Sequence, residues 1–294
     1  MFYPEFFMMY EKAPLSLHDI IHYALAEDLD ARGDITSKAL FDGAATGRAV
    51  IKSKESGVLS GGYLLEPVFH ANDHSITVEL LLSDGGSLEP GTRICTIRGP
   101  LLGILSGERI ALNFLQRLSG IATMTAALAR RIAHTKARIL DTRKTTPMLR
   151  ALEKRAVLDG GGLNHRFGLF DMVLIKDTHV KAMGGVGPAL VKARSCIAGL
   201  DRPVKIEIEV QTWEEFLEAL SLAPDRIMFD NMNLQLLAAC VERARVASPS
   251  MELEASGGIT AETIASVAET GVDFISVGAI THSVKALDIH LIIE

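Results

Sequence analysis

Cysteines, aromatic rings and positive net charge are scarce in this chain of 294 residues, and each scarcity excludes a class of function. The three cysteines, Cys95, Cys196 and Cys240, stand far apart with no CxxC pair. Neither a structural zinc site nor a disulfide framework is therefore indicated, and a reducing cytoplasm is the expected compartment. A formal net charge of −6 and a pI near 5.9 give no support for nucleic-acid binding. Any anion site must then be a local cluster of cations on an acidic background. The aromatic, Met-rich stretch 1–10 is interrupted by Glu5 and has no basic residues ahead of it. It is too short for a signal peptide or a membrane span, so it reads as a packed or frayed extension, with Met8 or Met9 as alternative starts, and no membrane partner is expected. Aromatics make up 5% of the chain against 48% hydrophobic residues, so the core is aliphatic. That balance suits α/β proteins, whose buried parallel strands favour Val, Ile and Leu. No GxGxxG follows a strand pattern, which argues against a dinucleotide-binding sheet.

What is present divides in two. Residues 15–29 have the pattern of an amphipathic helix, with Ser16 and Asp19 spaced as a capping box. Strand patterns follow at 48–52, 76–82 and 92–97, with a helix over 61–70 between them. The long stretch 101–134 is helical, with breaks expected near Gly107 and Gly120. Beyond it, apolar strands at 138–140, 172–175, 204–209, 226–229, 251–254 and 273–277 alternate with helices at 149–158, 186–198, 213–222, 233–246 and 261–270. Such βα alternation calls for a parallel sheet or an α/β barrel.

Polar residues fall at the ends of the strands. Asp141-Thr142-Arg143-Lys144 ends the first, and Lys176-Asp177-Thr178-His179 the second. Glu207 and Glu209 alternate along the third and so face the same side. Asp230-Asn231, Ser256-Gly257-Gly258 and Gly278 close the remaining ones. In an α/β barrel these ends converge on one mouth, the usual active site. Arg143, Lys144, Arg166 and Lys176, joined by His165, suit a small ligand with several carboxylates or phosphates. Glu209 and Asp230 offer hard oxygens of the kind Mg²⁺ needs with a phosphorylated substrate. Ser256-Gly257-Gly258, just ahead of a helix expected near Thr260, lets a phosphate approach backbone N–H groups, as does Gly278. Together these point to transfer involving a sugar phosphate.

The stretches ERIALNFLQRLSGIAT, DTRKTTPMLR, GGGLNHRFGL, IKDTH, IEIEV, FDN, EASGGI and VGAITHS resemble the quinolinate phosphoribosyltransferase family in order and over nearly the whole chain from about Glu27. The resemblance implies an incomplete α/β barrel of six to seven strands, residues 116–282, and a smaller N-terminal α+β domain, 1–115. The C-terminal tail, 283–294, is able to pack back on that domain. It also implies a homodimer or higher oligomer with composite active sites, quinolinate and phosphoribosyl pyrophosphate as substrates, and Mg²⁺ as cofactor. By the same resemblance Arg143, His165 and Arg166 hold the quinolinate carboxylates, and Arg109 reaches them from the partner subunit. Lys144 and Lys176 lie between the two substrates. Glu209 and Asp230 serve the donor's ribose and its Mg²⁺, directly or through water or substrate. Ser256, Gly257 and Gly278 bind the 5-phosphate, with His282 close by. The implied product is nicotinate mononucleotide, a precursor of NAD, with release of CO₂ and pyrophosphate.

Two positions depart from the family pattern: Thr178 where Asn is usual, and Met148 where Gly is usual. Two rivals are kept. One is a related pyrophosphorylase acting on nicotinate or on the substrate of a molybdenum-associated paralogue. The other is a non-catalytic carrier module, suggested by the Gly-rich turns around 84–99 but lacking a lysine at the expected turn.

Overall fold

A computed structural model describes residues 15–294, which fall into two compact units; the readings made for 1–10 lie outside the described residues. The first unit takes the chain up to Ala126 together with Thr145–Gly161 and Ile280–Glu294, and the second takes Ala127–Lys144 and Gly162–Ala279. The domain limit read from sequence, between 115 and 116, thus lies inside the helix Leu101–Arg131.

The first unit opens with helix α1, Leu17–Leu29, whose Ser16 and Asp19 form the expected reciprocal capping box. A short helix not foreseen from sequence, α2 at Ile35–Leu40, is capped by Asp34. Strands β1 (Thr46–Ser53), β3 (Thr77–Leu80) and β5 (Arg93–Pro100) join the last strand of the chain, β12 (Ile289–Ile293), in an antiparallel sheet of order β12-β1-β5-β3. Gly57–Val58 (β2) and Ser87–Leu88 (β4) make a separate two-stranded ribbon. The helix expected over 61–70 is a 3₁₀ turn, Gly62–Leu64, continued by α3, Leu65–Asn72. Ile51, Leu65, Phe69, Ile76, Ile97 and Leu115 are among the fully buried residues that join sheet and helices in one aliphatic core.

The breaks expected near Gly107 and Gly120 do not occur. Helix α4, Leu101–Arg131, runs through both glycines. They are there for contact rather than bending. A Cβ on Gly120 would lie 2.3 Å from the Lys285 carbonyl oxygen, and one on Gly107 would lie 2.9 Å from Asn72 Nδ2 and 3.0 Å from Phe69 Cδ1. Each glycine costs the helix about 1 kcal/mol in propensity, which close packing offsets.

The second unit contains the βα alternation. Strands β6 (Arg138–Leu140), β7 (Val173–Ile175), β8 (Ile206–Val210), β9 (Arg226–Asp230), β10 (Glu252–Ser256) and β11 (Phe274–Ser276) form a parallel sheet of order β6-β11-β10-β9-β8-β7. Strands β6 and β7 are its two edges, so six strands give an incomplete α/β barrel. The intervening helices are close to expectation, with one addition. Lys176-Asp177-Thr178-His179, read as the polar end of a strand, leads straight into a helix, Asp177–Met183, with Lys176 as its N-cap. A correction also applies after β10: no helix begins near Thr260. The helix Ile264–Glu269 starts later and is only a short segment, so the turn at Gly257-Gly258 owes nothing to a helix N-terminus. Among the described residues no helix is long and apolar enough to cross a membrane.

Candidate active site

Because all six barrel strands are parallel, Asp141, Lys176, Glu209, Asp230, Ser256 and Gly278 emerge at the same end of the sheet. The glycine run before Asn164-His165-Arg166 is no flexible loop. Leu163 pairs with Leu140 as an isolated parallel bridge; its N–H donates to Ile139 O at 2.8 Å, and its carbonyl accepts from Asp141 N–H at 3.2 Å. This stretch therefore prolongs the sheet beyond edge strand β6. It carries His165 and Arg166 alongside Asp141-Thr142-Arg143, and His165 N–H donates to the fully buried Asp141 Oδ1 at 2.9 Å. Asp141 thus braces the backbone that presents the cations.

Burial, and after it the neighbouring Arg143 cation, hold the Arg166 guanidinium below its ordinary pKa against the opposing pull of Glu207, Asp171 and Glu209. Arg166 Nη1 donates to the Met172 carbonyl at 3.1 Å. Lys144 is exposed, and its N–H donates to Thr142 Oγ1 at 3.0 Å. Lys176 Nζ reaches Glu209 Oε1 at 3.0 Å. Asp230 Oδ2 accepts from Gln211 Nε2 at 3.0 Å and from Asn231 Nδ2 at 2.9 Å. A cleft of about 400 Å³ opens beside Glu209, lined also by Asp177, Lys181, Gln211 and Glu215.

The turn after β10 is set by backbone geometry. Gly257 has φ +94° and Gly258 φ +58°, and Asn231, itself left-handed at φ 56°, donates its N–H to Ser256 O at 2.9 Å. A Cβ on Gly257 would stand 2.2 Å from Asn231 Oδ1. Of the other two residues read from sequence, Arg109 is exposed on α4, and the exposed His282 has Nδ1 2.6 Å from Ser283 Oγ. Both belong to the first unit.

Met148, the unexplained departure, sits at φ +68° with its side chain half exposed. A left-handed residue other than glycine costs roughly 1–2 kcal/mol, and glycine in turn gives up part of that in chain entropy, about 0.5–1 kcal/mol. Met148→Gly is therefore expected to stabilise the protein by about 0.5–1 kcal/mol, read as a higher denaturant midpoint. A lower midpoint would show that the thioether makes contacts worth more than the strain. Thr178, the second departure, is exposed as the second residue of the helix Asp177–Met183.

Two groups of residues have roles that the sequence reading does not give them, although Glu207 is named there with Glu209 on one face of its strand. The first is Arg117 on α4. Its Nε and Nη2 donate to Glu153 Oε1 at 2.8 and 2.6 Å, and Nη2 also reaches Thr146 Oγ1 at 2.7 Å and Thr281 O at 3.1 Å. Glu153, fully buried on the helix Arg150–Asp159, accepts Thr146 N–H at 3.2 Å through its other oxygen. The segment following Lys144 is thereby tied down at Thr146.

The second group lies inside the barrel. Glu207 and Glu254 are fully buried and Arg226 nearly so. Arg226 Nη1 donates to Glu254 Oε2 at 2.8 Å and lies 4.0 Å from Glu207 Oε2, while its Nε donates to Glu252 Oε2 at 3.0 Å. Its guanidinium also stacks over Phe274, 4.2 Å from the ring centroid. Ser276 Oγ donates to Glu254 Oε1. The sign of this group was visible as acids within apolar strands, Ile206-Glu207-Ile208 and Leu253-Glu254-Ala255.

Burial, reinforced by the Glu207 charge, pushes Glu254 from its ordinary 4.5 up to about 7. The native protein then holds a proton that the unfolded chain releases between these values. Glu254 should make stability fall as pH rises from about 4.5 to about 7. Glu254→Gln, which copies the protonated acid, is expected to flatten that slope in urea titrations across this range. An unchanged slope would refute the assignment.

Two family profiles match: the quinolinate phosphoribosyl transferase N-terminal domain over residues 34–119 and the C-terminal domain over 121–292. The chain is 42% identical over 277 residues to a probable nicotinate-nucleotide pyrophosphorylase [carboxylating] of Bacillus subtilis, covering 94% of this chain and 93% of the relative. It is also 42% identical over 290 residues to quinolinate phosphoribosyltransferase [decarboxylating] 1 of Nicotiana glauca, covering 95% and 82%. The solved nicotinate-nucleotide pyrophosphorylase of Francisella tularensis superposes with a TM-score of 0.89 at 37% identity, covering 95% of this chain and 96% of that one. With both profiles matched across the two units and relatives aligned over nearly their full length, the chain belongs to the quinolinate phosphoribosyltransferase family.

Proposed function

We propose that this enzyme transfers the phosphoribosyl group of phosphoribosyl pyrophosphate to the ring nitrogen of quinolinate, releasing pyrophosphate and CO₂ and forming nicotinate mononucleotide for NAD synthesis. The observation that carries this reading is the crowding of Arg143 and Arg166, brought side by side by the Leu140–Leu163 bridge, in a chain of net charge −6. Two neighbouring guanidinium groups suit a ligand with two carboxylates on one ring. Nicotinate, with one carboxylate, would leave half of that charge unanswered.

Arg143 and Arg166 clamp the carboxylates, with His165 in the same group, and Lys144 and Lys176 reach toward the phosphoribosyl donor. Ser256, Gly257 and Gly278 cradle the 5-phosphate, with His282 nearby. Glu209 and Asp230 face the donor's ribose. Each keeps one carboxylate oxygen outside the hydrogen bonds described above, and an all-oxygen pair at adjacent strand ends fits a hard cation that retains water and substrate oxygens. When bound, Mg²⁺ supplies charge that offsets the departing pyrophosphate. The chain's own part is to orient and to exclude alternatives. The arginines aim the pyridine nitrogen lone pair at the ribose C1, and the lysines stabilise the leaving group. The N–C1 bond forms as the C1–O bond to pyrophosphate breaks. No general base is needed, because the nucleophile carries no proton. The resulting positive ring nitrogen stabilises the electron pair left on the adjacent carbon as its bond to CO₂ breaks, and a solvent proton then bonds to that carbon.

A homodimer in which Arg109 completes the partner's carboxylate pocket is part of the proposal. Mixing Arg109→Ala with Lys144→Ala, each inactive alone, is expected to restore up to about a quarter of wild-type activity by statistical exchange; no recovery would count against a shared site. We place the enzyme in the cytoplasm, where its free thiols would stay reduced. The deciding experiment offers quinolinate and nicotinate side by side with phosphoribosyl pyrophosphate and Mg²⁺, and follows CO₂ and pyrophosphate. Turnover of nicotinate alone would overturn the reading.

A further inference from the structure

We propose that Glu207 and Glu254 are positioning residues for the dicarboxylate site: they hold the His165 imidazole turned down into the barrel, so that His165 places Arg166 rather than touching substrate itself. This rests on the function proposed above and refines it.

The geometry begins with the ring nitrogens. Nδ1 of His165 accepts the Arg166 N–H at 2.8 Å. An imidazole nitrogen that accepts carries no proton, so the ring proton lies on Nε2. Nε2 sits 3.1 Å from Glu207 Oε2 and 3.6 Å from Glu254 Oε2, so it faces two carboxylates. The ring thus has one nitrogen hydrogen-bonded to the backbone of the next residue and the other turned toward the barrel interior. His165 itself is only 9% exposed.

The two acids cannot serve the substrate directly. Glu207 and Glu209 share a face of β8, as Glu254 and Ser256 share a face of β10. Glu209 and Ser256 stand at the mouth, and Glu207 and Glu254 lie one layer beneath, about 6.6 Å deeper at 3.3 Å per residue. Barrel layers of this kind are ordinarily filled by Val, Ile and Leu. Here the layer holds two acids, fixed by Arg226 from β9 and by Ser276 from β11. Neither Glu207 oxygen accepts a hydrogen bond of good geometry, and a buried carboxylate so placed is costly to keep. Its neighbours are the His165 Nε2 at 3.1 Å and the Arg226 guanidinium at 4.0 Å. Orienting the ring that fixes the Arg166 backbone gives this arrangement a purpose that packing alone would not.

The same three side chains bring one ligand atom each within 4.8 Å of one another, the spacing of a metal site. Arg226 and Ser276 already engage Glu254, however, and leave a cation little to neutralise.

The test uses the full-length enzyme with Glu207→Leu and Glu207→Gln. Losing the orienting oxygen, as in Glu207→Leu, should raise KM for quinolinate by about 10- to 100-fold, the scale of a misplacement of about 1 Å, with KM for phosphoribosyl pyrophosphate unchanged. Glu207→Gln, which keeps an oxygen for the ring proton, should recover most of the loss. Should either variant fail to fold, ¹⁵N spectra of His165 in the wild type decide instead. A neutral ring protonated at Nε2, before and after quinolinate is added, is expected. A ring that becomes imidazolium on binding, a quinolinate KM unmoved in both variants, or a transition metal held in stoichiometric amount by the purified protein would each overturn the proposal. A wild type that ignores quinolinate would instead sink the functional reading on which it rests.

Discussion

Replacing Gly257 with alanine is expected to lower kcat/KM by about 100-fold, with the loss concentrated in KM for phosphoribosyl pyrophosphate. Two constraints act at once there. The backbone is at φ +94°, and the new methyl group would lie 2.2 Å from Asn231 Oδ1 and 2.8 Å from Asn231 N. Something must shift, and Asn231 is the neighbour in the way. Its N–H is tied to Ser256 O and its amide to Asp230, so displacing it moves the groups proposed to face both phosphate and ribose. Gly258 is the internal control. Its φ of +58° carries the left-handed cost, but an added Cβ meets nothing within 4 Å. Gly258→Ala should therefore lose roughly 1–2 kcal/mol of stability and keep most of its activity. Equal kinetic effects at the two glycines would show that chain strain, not the Asn231 contact, governs the turn.

Arg117→Ala is expected to be the most destabilising of the single substitutions considered, at about 3 kcal/mol. The guanidinium is one-third exposed while Glu153 is fully buried, so the variant leaves a carboxylate in the interior with only the Thr146 N–H for company. The exposure of the arginine places the estimate at the lower end of the range for broken buried pairs. Calorimetry or denaturant titration would measure it. The double variant, Arg117→Met with Glu153→Leu, separates stability from function. It should regain most of the stability, because an apolar pair of similar volume does not need a partner charge. It should not regain activity, since the tether on Thr146, two residues beyond Lys144, is gone. Full activity in the double variant would mean that the segment holds its course without the arginine.

Much of this was legible in the amino-acid sequence because parallel strands obey a simple rule. Each ends where its side chains reach solvent, so an acid or cation there has a purpose other than packing. Lys176, Glu209, Asp230 and Ser256 were found in that way. Met148 was also visible, as a side chain where backbone freedom is wanted, and its φ of +68° gives the reason. What stayed hidden depended on partners distant in the chain. Glycine-rich 160–162 has no strand propensity, yet Leu163 docks on β6 through hydrogen bonds to Ile139 and Asp141. Gly107 and Gly120 look like helix breakers until Phe69, Asn72 and Lys285 are found against them. Asp141 stands among the polar residues at a strand end and is fully buried, holding the His165 backbone. Arg117 has no local signal at all, because Glu153, Thr146 and Thr281 meet it only in the folded chain.

The pairing order of the two sheets has a consequence for how the protein comes into being. In the antiparallel sheet β1 pairs with the final strand, Ala49 against Ile293, and in the barrel β6 pairs with β11, Arg138 against Phe274. Each sheet thus has an early strand waiting for one made much later in the chain. During translation both edges stand open while the chain lengthens, and contacts of such long sequence separation form slowly. The nascent chain therefore has a long interval in which β1 and β6 are available to the wrong neighbour. Neither sheet can close until its late strand, β12 or β11, has left the ribosome.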